Sequence, residues 1–285
     1  MAKAPDRWHR WLMDVRFGGH PVAREHVLAA LYPVRDTLLD KADLQPGDTV
    51  LDVGTGDGLI AFGALERLDL SGHVIFSDIS QDLLDHCRAV AAAEGLLDRC
   101  RFVLASADSL TGIADASVDV VTTRSVLIYV KNKAVALQEF YRALRPGGRI
   151  SVHEPINVLM RDPDRFFGCD ITPVKPLAAK VRALYESIQP PGDDPMLDFD
   201  ERDLVRYAEL TGFAEIDLEL RVTVKNSRHP VPWDLALSMS GNPLVPPLGE
   251  ALERTLSPQE ITEFTAHLKP LTPLTSGQRW VSPGT

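Results

Sequence analysis

Cysteine is scarce in this 285-residue sequence. Its three cysteines, Cys87, Cys100 and Cys169, are odd in number and widely scattered, which indicates reduced thiols and no disulfide framework. Neither a Cys-x-x-Cys pair nor a His-x-x-x-His pair occurs, which argues against a structural zinc site. We therefore expect a chain that folds without disulfides and carries no metal.

Long apolar runs are also absent. No stretch approaches eighteen consecutive apolar residues, which excludes a transmembrane helix. Residues 1–10 are too charged to lead into the apolar core of a secretion signal. We therefore expect a cytoplasmic protein.

Positive charge is in deficit. The chain has 30 Lys and Arg against 40 Asp and Glu, a formal net charge of −10, which argues against a general nucleic-acid binder. Apolar residues make up 45% and charged residues 25%, a composition typical of globular proteins. Homodimerisation stays open, because the Pro-rich apolar segments at 154–198 and 229–270 can form a dimer surface or extra core as well as a cover over a pocket.

Proline is scarce only in the first half of the sequence. Five of the 21 prolines lie in residues 1–150, and the rest follow. This distribution predicts regular structure in the first half, and short helices joined by extended turns near the end.

Strand and helix patterns alternate through the first half. Apolar runs predict strands at 49–53, 73–78, 101–105, 118–123 and 149–153. Helical periodicity predicts helices at 22–41, 59–68, 80–94 and 133–144, and later at 177–187, 201–211 and 260–268. The alternation predicts a parallel sheet with helices on both faces, and a sixth strand is expected at 214–224.

A glycine-rich turn follows the first predicted strand. Its sequence is Asp52-Val53-Gly54-Thr55-Gly56-Asp57-Gly58, and Asp78 ends the next strand 20 positions later. Such a turn brings backbone N–H groups close to a ligand, and the acidic residue suits ribose hydroxyls. The dinucleotide pattern G-x-G-x-x-G would need a glycine where Leu59 stands, so an NAD(P)-dependent oxidoreductase is the weaker interpretation.

The glycine turn and four later segments resemble class I S-adenosylmethionine (SAM) dependent methyltransferases. The five matching segments, in order, are 52–58, Asp78, Ala107-Asp108, 119–125 and the "LRPGG" turn at 144–149. The resemblance implies an α/β, Rossmann-like, doubly wound and mostly parallel sheet of the seven-stranded type, with helical lid insertions. It implies SAM as cofactor and S-adenosylhomocysteine as product.

The resemblance also implies roles for single residues. The turn residues Gly54, Thr55, Gly56 and Gly58 would approach the methionyl part of SAM, with Asp52 beside them. Further positions are carried over from the family: Asp78 for the ribose, Ile79 for the adenine face, Ala107, Asp108 and Ser109 for the adenine edge, and the Arg124 carbonyl for the methionyl ammonium. Arg16 or His20 is a candidate cation for the methionyl carboxylate.

The same resemblance suggests how the chain is organised. We expect an N-terminal helical cap at 1–44, a SAM-binding core at 45–153, a lid at 154–198, the end of the core at 199–228, and a Pro-rich acceptor-side insert with the C-terminus at 229–285. Little chain is left for a seventh strand after residues 278–281, so that strand is very short or the native protein is longer.

Methyl transfer is an in-line displacement, and a general base is needed only when the nucleophile holds its proton tightly. The candidate catalytic residues His153 and Glu154 end the fifth strand, and Tyr129 is a candidate pocket residue. The alternative is that His153 packs under the lid, that Glu154 caps a helix or forms an ion pair, and that Tyr129 belongs to the core. The expected acceptor is an O, N or C nucleophile on a small molecule or short peptide.

Residues 144–156 are also similar to arsenite methyltransferases, but Cys87 and Cys100 lie away from the ligand edge. A non-catalytic SAM-fold partner protein is the alternative.

Overall fold

Five parallel strands form the central sheet, in the order β3-β2-β1-β4-β5. The strands are β1 Thr49–Val53, β2 His73–Asp78, β3 Cys100–Leu104, β4 Val118–Arg124 and β5 Leu144–His153. The structure is a computed structural model that describes residues 4–16, 18–166, 169–222 and 232–272. The prediction of a parallel α/β sheet is confirmed.

Ten α-helices occur among the described residues. They are α1 Arg7–Arg10, α2 Pro21–Lys41, α3 Leu59–Arg67, α4 Gln81–Ala93, α5 Lys133–Ala143, α6 Lys175–Ile188, α7 Glu201–Thr211, α8 Trp233–Ser238, α9 Leu248–Thr255 and α10 Pro258–Leu268. A π-helical stretch, Trp11–Val15, follows α1. In the described part of the chain, no helix is both long and apolar enough to cross a membrane.

Alternate side chains of the strands serve two separate cores. On one face, Val50 and Val120 pack with α2, α3 and α4. On the other face, Leu51 and Val121 pack with α5 and α7. Both faces of the sheet are therefore covered, as the continuous apolar strand sequences predict.

The chain divides into two units by its internal packing. The first unit is Met1–Leu12, Glu25–Met160 and Gly192–Leu220, and it contains the sheet. The second unit is Met13–Arg24, Arg161–Pro191 and Arg221–Thr285. Its core joins α6, α8, α9 and α10 with an antiparallel pair of short strands, β6 Arg165–Phe166 and β7 Cys169–Asp170.

The sequence pattern predicts only one helix in residues 229–270, so α8 and α9 of the second unit were not predicted. Pro232 and Pro247 stand immediately before α8 and α9, and Pro258 is the first residue of α10. Proline suits the start of a helix because its missing N–H is not needed there. The prolines therefore mark helix starts as well as turns.

The expected sixth strand is wrong for residues 214–222, which pair with no described strand. Apolar and acidic residues do alternate here, but Ile216, Leu218 and Leu220 are 39–48% exposed. The alternation is typical of a strand, yet no described neighbour buries its apolar face. Residues 223–224, and the candidate seventh strand at 278–281, lie outside the described residues.

A buried lysine ties the region after β4 to the end of the first unit. The Lys133 side chain is 2% exposed, and its ammonium donates to the carbonyls of Val130 (3.0 Å) and Pro195 (2.9 Å) and to the carboxylate of Asp198. It also lies 4.6 Å from the centre of the Phe199 ring. All three of its donors are used, so burial of this charge is compensated.

We predict that Lys133→Met lowers the free energy of unfolding by roughly 2 to 3 kcal/mol, because the buried acceptors of its ammonium are left without a hydrogen-bond donor. The matched control is Lys175→Met, which also changes the first residue of a helix. Its ion pair with Asp164 is half exposed, so the loss should stay under about 0.5 kcal/mol. Urea denaturation of both variants measures the difference. Equal losses would contradict the role given to Lys133.

Candidate functional site

The loop between β1 and α3 requires its glycines. Gly54, Gly56 and Gly58 all have positive φ angles, between 58° and 86°. A Cβ atom on Gly54 would lie 2.3 Å from a methyl of Val126, and one on Gly58 would lie 2.4 Å from the Phe62 ring. Side chains are excluded here by both backbone conformation and space, so the loop presents bare backbone at the carboxyl edge of the sheet.

Asp78 anchors this loop to the end of β2. One carboxylate oxygen accepts the N–H of Gly56 at 2.9 Å, and the other accepts the N–H of Ser80 at 2.9 Å. Burial raises the pKa of Asp78. Each carboxylate oxygen can accept a second hydrogen bond, so Asp78 can still receive hydroxyl groups of a ligand. The next residue, Ile79, is 51% exposed at the same edge.

Asp52 is buried beneath the glycine loop with one oxygen unsatisfied. Its Oδ1 accepts from the Thr122 hydroxyl at 2.8 Å, and the residue is 2% exposed. Its Oδ2 and the nearby Thr55 hydroxyl are buried and make no hydrogen bond of normal geometry among the described residues, although the Thr55 hydroxyl lies close enough to lower the pKa of this carboxyl. Burial raises the pKa of Asp52 to about 6. An unsatisfied buried carboxylate oxygen marks a place for a cationic or hydrogen-bond-donating group.

The segment after β3 forms a tight turn around Asp108. The Ser106 hydroxyl donates to the Asp108 carboxylate, and the Ser109 N–H donates to the Ser106 carbonyl at 3.0 Å. Ala107 is buried, whereas Asp108 is half-buried and Ser109 exposed. The turn adjoins β2, because the Ala105 N–H donates to the Asp78 carbonyl at 3.0 Å.

The loop after β4 is held by the end of β5. Glu154 accepts the backbone N–H groups of Val126 (2.8 Å), Leu127 (2.9 Å) and Ile128 (3.2 Å), and burial raises its pKa to about 7. Ser125 adopts a φ of +56° directly before them, and its N–H donates to the His153 carbonyl at 2.8 Å. Glu154 therefore shapes the loop that carries Val126 against Gly54.

The other predicted site residues are Arg124, His153, Arg16 and His20. His153 is exposed at the end of β5, opposite Arg124 on β4. Arg124 is half-buried. Arg16 and His20 belong to the second unit, so the structure does not bring them together with the glycine loop inside one unit.

One contributor, Asp6, was missed in the sequence, and the observed contacts of Glu154 were not predicted. Glu154 was expected to act in catalysis, and nothing in the sequence signals that its carboxylate binds three consecutive N–H groups. Asp6, which contacts Ser80, precedes a short helical pattern and could have been identified as an N-cap.

The chain matches a family model described as a methyltransferase domain, over residues 50–148. That range contains the glycine loop, Asp78, the turn around Asp108 and the loop after β4. It covers about a third of the chain, and the second unit lies outside it.

Curated relatives are similar to part of the chain. An arsenite methyltransferase of Halobacterium salinarum is 31% identical over 134 residues, which are 45% of this chain and 34% of that protein. A nocamycin O-methyltransferase of Saccharothrix syringae is 37% identical over 125 residues, 44% of each chain. The chain thus spans less than half the length of either relative.

A solved structure has a fold similar to that of this chain over a longer range than the family model matches. A Methanococcus maripaludis protein classed as an S-adenosyl-L-methionine-dependent methyltransferase superposes with a TM-score of 0.51, covering 78% of this chain and 92% of that one at 16% identity. At this identity the likeness concerns the fold alone. Strand order, glycine loop and family match agree: residues 50–148 match a methyltransferase domain and belong to a sheet of the Rossmann-like type.

Proposed function

We propose that this chain transfers the methyl group of SAM to a nucleophilic atom of a small molecule. The observation that carries the proposal is the pairing of two buried carboxylates around the glycine loop. Asp52 has an unsatisfied oxygen beneath the loop, and Asp78 ends the next strand with spare acceptor capacity. A ligand with an ammonium group at one end and a ribose at the other fits this arrangement.

We assign residues of the first unit to the parts of SAM according to their positions at the sheet edge. Asp52 would hold the methionyl ammonium, directly or through water, together with the Arg124 carbonyl. Asp78 would accept the ribose hydroxyls, and the exposed Ile79 would cover a face of the adenine. The turn with Ala107, Asp108 and Ser109 would meet the adenine edge, and Asp108 would accept from its amino group. Arg16 stays a proposal for the methionyl carboxylate.

When bound, SAM supplies a methyl group already activated on a sulfonium. The chain has to align the acceptor with that methyl and keep water away. The two carboxylate oxygens of Glu154 accept hydrogen bonds from three backbone N–H groups, so we assign Glu154 to positioning the loop after β4. His153, exposed at the end of β5, is the proposed general base for an acceptor that needs one.

An organic acceptor fits the chain better than arsenite. Arsenite methylation would need thiolates grouped at the acceptor site. Burial raises the pKa of both the Cys87 thiol and the Cys100 thiol, the latter to about 11, so neither is a ready thiolate. Cys169 belongs to the second unit. The name of the nocamycin relative supports an oxygen nucleophile on a natural product.

The first test concerns the cofactor. Asp78→Asn should weaken binding of S-adenosylhomocysteine by about 10- to 100-fold, because hydrogen bonds to a charged acceptor are lost. Titration calorimetry measures the affinity, and Asp85→Asn on the exposed face of α4 is the control. Unchanged affinity in the Asp78 variant, or binding of NAD(H) in place of the adenosyl ligand, would count against the proposal.

The second test uses the stability cost of Asp52. Its folded-state pKa of about 6 lies above the usual 3.8, so its ionisation costs folded-state stability, increasingly as the pH rises from 4 through 6. Asp52→Asn should therefore raise the free energy of unfolding of the ligand-free protein, by up to about 3 kcal/mol above pH 7 and by less near pH 4.5. The same change should weaken SAM binding. Denaturation at both pH values checks the sign, and a destabilised variant at pH 7.5 would refute it.

The third test separates catalysis from positioning. A screen with methyl-labelled SAM identifies an acceptor. His153→Asn should then lower kcat by at least about 100-fold with unchanged SAM affinity, the usual contribution of a general base. Glu154→Gln should weaken SAM binding instead, because the amide cannot accept all three N–H groups. An unaltered kcat in the His153 variant would end its role as base.

A further inference from the structure

The N-terminal segment Asp6–Leu12 lies across the edge of the sheet where the cofactor loop is. Its two ends contact different parts of the first unit. Asp6 contacts the start of α4, and Trp8 and Trp11 contact Tyr129 after β4. Between these contacts lies the glycine loop.

Asp6 fastens one end of the segment through both its side chain and its backbone. Its Oδ2 accepts from the Ser80 hydroxyl at 2.6 Å, and its own N–H donates to the Asp82 carboxylate at 2.6 Å. Its Oδ1 accepts the N–H groups of Trp8 and His9, which caps α1. One aspartate thus starts the helix and attaches it to α4.

The attachment is continuous with the cofactor site. Ser80 is 1% exposed, and its N–H donates to Asp78, whose other oxygen holds Gly56. The Ser80 hydroxyl also caps α4 by accepting from Leu83 at 3.1 Å. A chain of hydrogen bonds therefore runs from Asp6 through Ser80 and Asp78 to the glycine loop.

The other contacts place the segment directly on the site. A Cβ atom built on Gly56 would lie 3.0 Å from Leu12 Cδ2, so Leu12 packs on the loop itself. The Trp8 ring centre is 5.0 Å from that of Tyr129, and the Trp11 ring centre is 6.5 Å from it, both nearly perpendicular. Glu154 holds the turn that carries Tyr129. The segment thus spans from the end of β2 to the end of β4.

We propose that Asp6 is a positioning residue for the cofactor. It fastens Asp6–Leu12 across the glycine loop, so that the segment holds Asp78 in place and must release before bound cofactor can leave. The inference rests on the proposed function, because it assumes that SAM binds at this loop. It adds a residue outside the matched domain to the machinery that retains the cofactor.

Two measurements on the full chain test the proposal. The first is limited trypsin digestion after Arg7 and Arg10, both exposed on α1, followed by mass spectrometry of the released N-terminus. S-adenosylhomocysteine should slow this cleavage by about tenfold, because the segment closes over bound ligand. The second is the dissociation rate of S-adenosylhomocysteine, which Asp6→Asn should raise by about tenfold, the effect of losing one hydrogen bond to a charged partner. The amide keeps an oxygen to cap α1, and thermal melting verifies the fold.

The controls distinguish a positioning role from general damage. Asp98→Asn makes the same charge change at an exposed site and should behave as wild type. Asp6→Asn should raise the KM for SAM while kcat at saturation stays within about twofold. In a cycle with Ser80→Ala, the two losses should not add. Binding of S-adenosylhomocysteine without protection from trypsin, or an unchanged dissociation rate in Asp6→Asn, would overturn the inference. Absence of binding to the wild-type chain would instead overturn the proposed function.

Discussion

The hydrogen bonds of one buried carboxylate organise the candidate site. Asp78 joins the N–H of Gly56, in the loop after β1, to the N–H of Ser80, at the start of α4. Two pieces of chain, the loop after β1 and the stretch that joins β2 to α4, thereby acquire fixed positions at the carboxyl edge of the sheet. The three glycines of this loop carry no side chains that could fasten it, so acceptors at the end of β2 hold its backbone: the Asp78 carboxylate accepts the Gly56 N–H, and the Ser77 carbonyl accepts the Thr55 N–H at 2.9 Å.

The same edge contains groups that do not favour the folded state. Asp52 is an acidic group in an environment that disfavours its charge, and one of its oxygens makes no hydrogen bond of normal geometry among the described residues. Such an arrangement stabilises a protein only when a ligand completes it, and functional sites commonly carry costs of this kind. Lys133 is the opposite case. It is equally buried, but its three donors are all used, so the burial of its charge is compensated without a ligand.

Much of this arrangement could be predicted from the sequence, because it depends on local patterns. The bounds of β1 and β2 agree with their apolar runs, and Asp78 falls at a strand end where parallel topology directs it to the ligand edge. β5 is different. It begins at Leu144 and not at residue 149, since its pairing with β4 shifts register between Val118 and Val120 and takes in the Pro-Gly-Gly turn.

What the sequence did not predict depends on tertiary partners. Whether Glu154 acts on a substrate or on backbone N–H groups is decided by the fold of the loop after β4. The exposure of Ile216 and Leu218 depends on which neighbour covers them. The link between Asp6 and Ser80 joins positions 74 residues apart, and neither residue alone signals it.

The division of the chain has a consequence for how this protein can be made and dissected. The two units alternate along the sequence, so the chain passes from one to the other five times. Neither unit emerges complete from the ribosome until residue 220 has been synthesised. A fragment limited to the matched residues 50–148 would lack Asp6, Glu154 and the Asp198 partner of Lys133. Residues 50–148 are therefore recognisable in sequence as a methyltransferase domain, but they do not contain all the contacts that hold this part of the fold together.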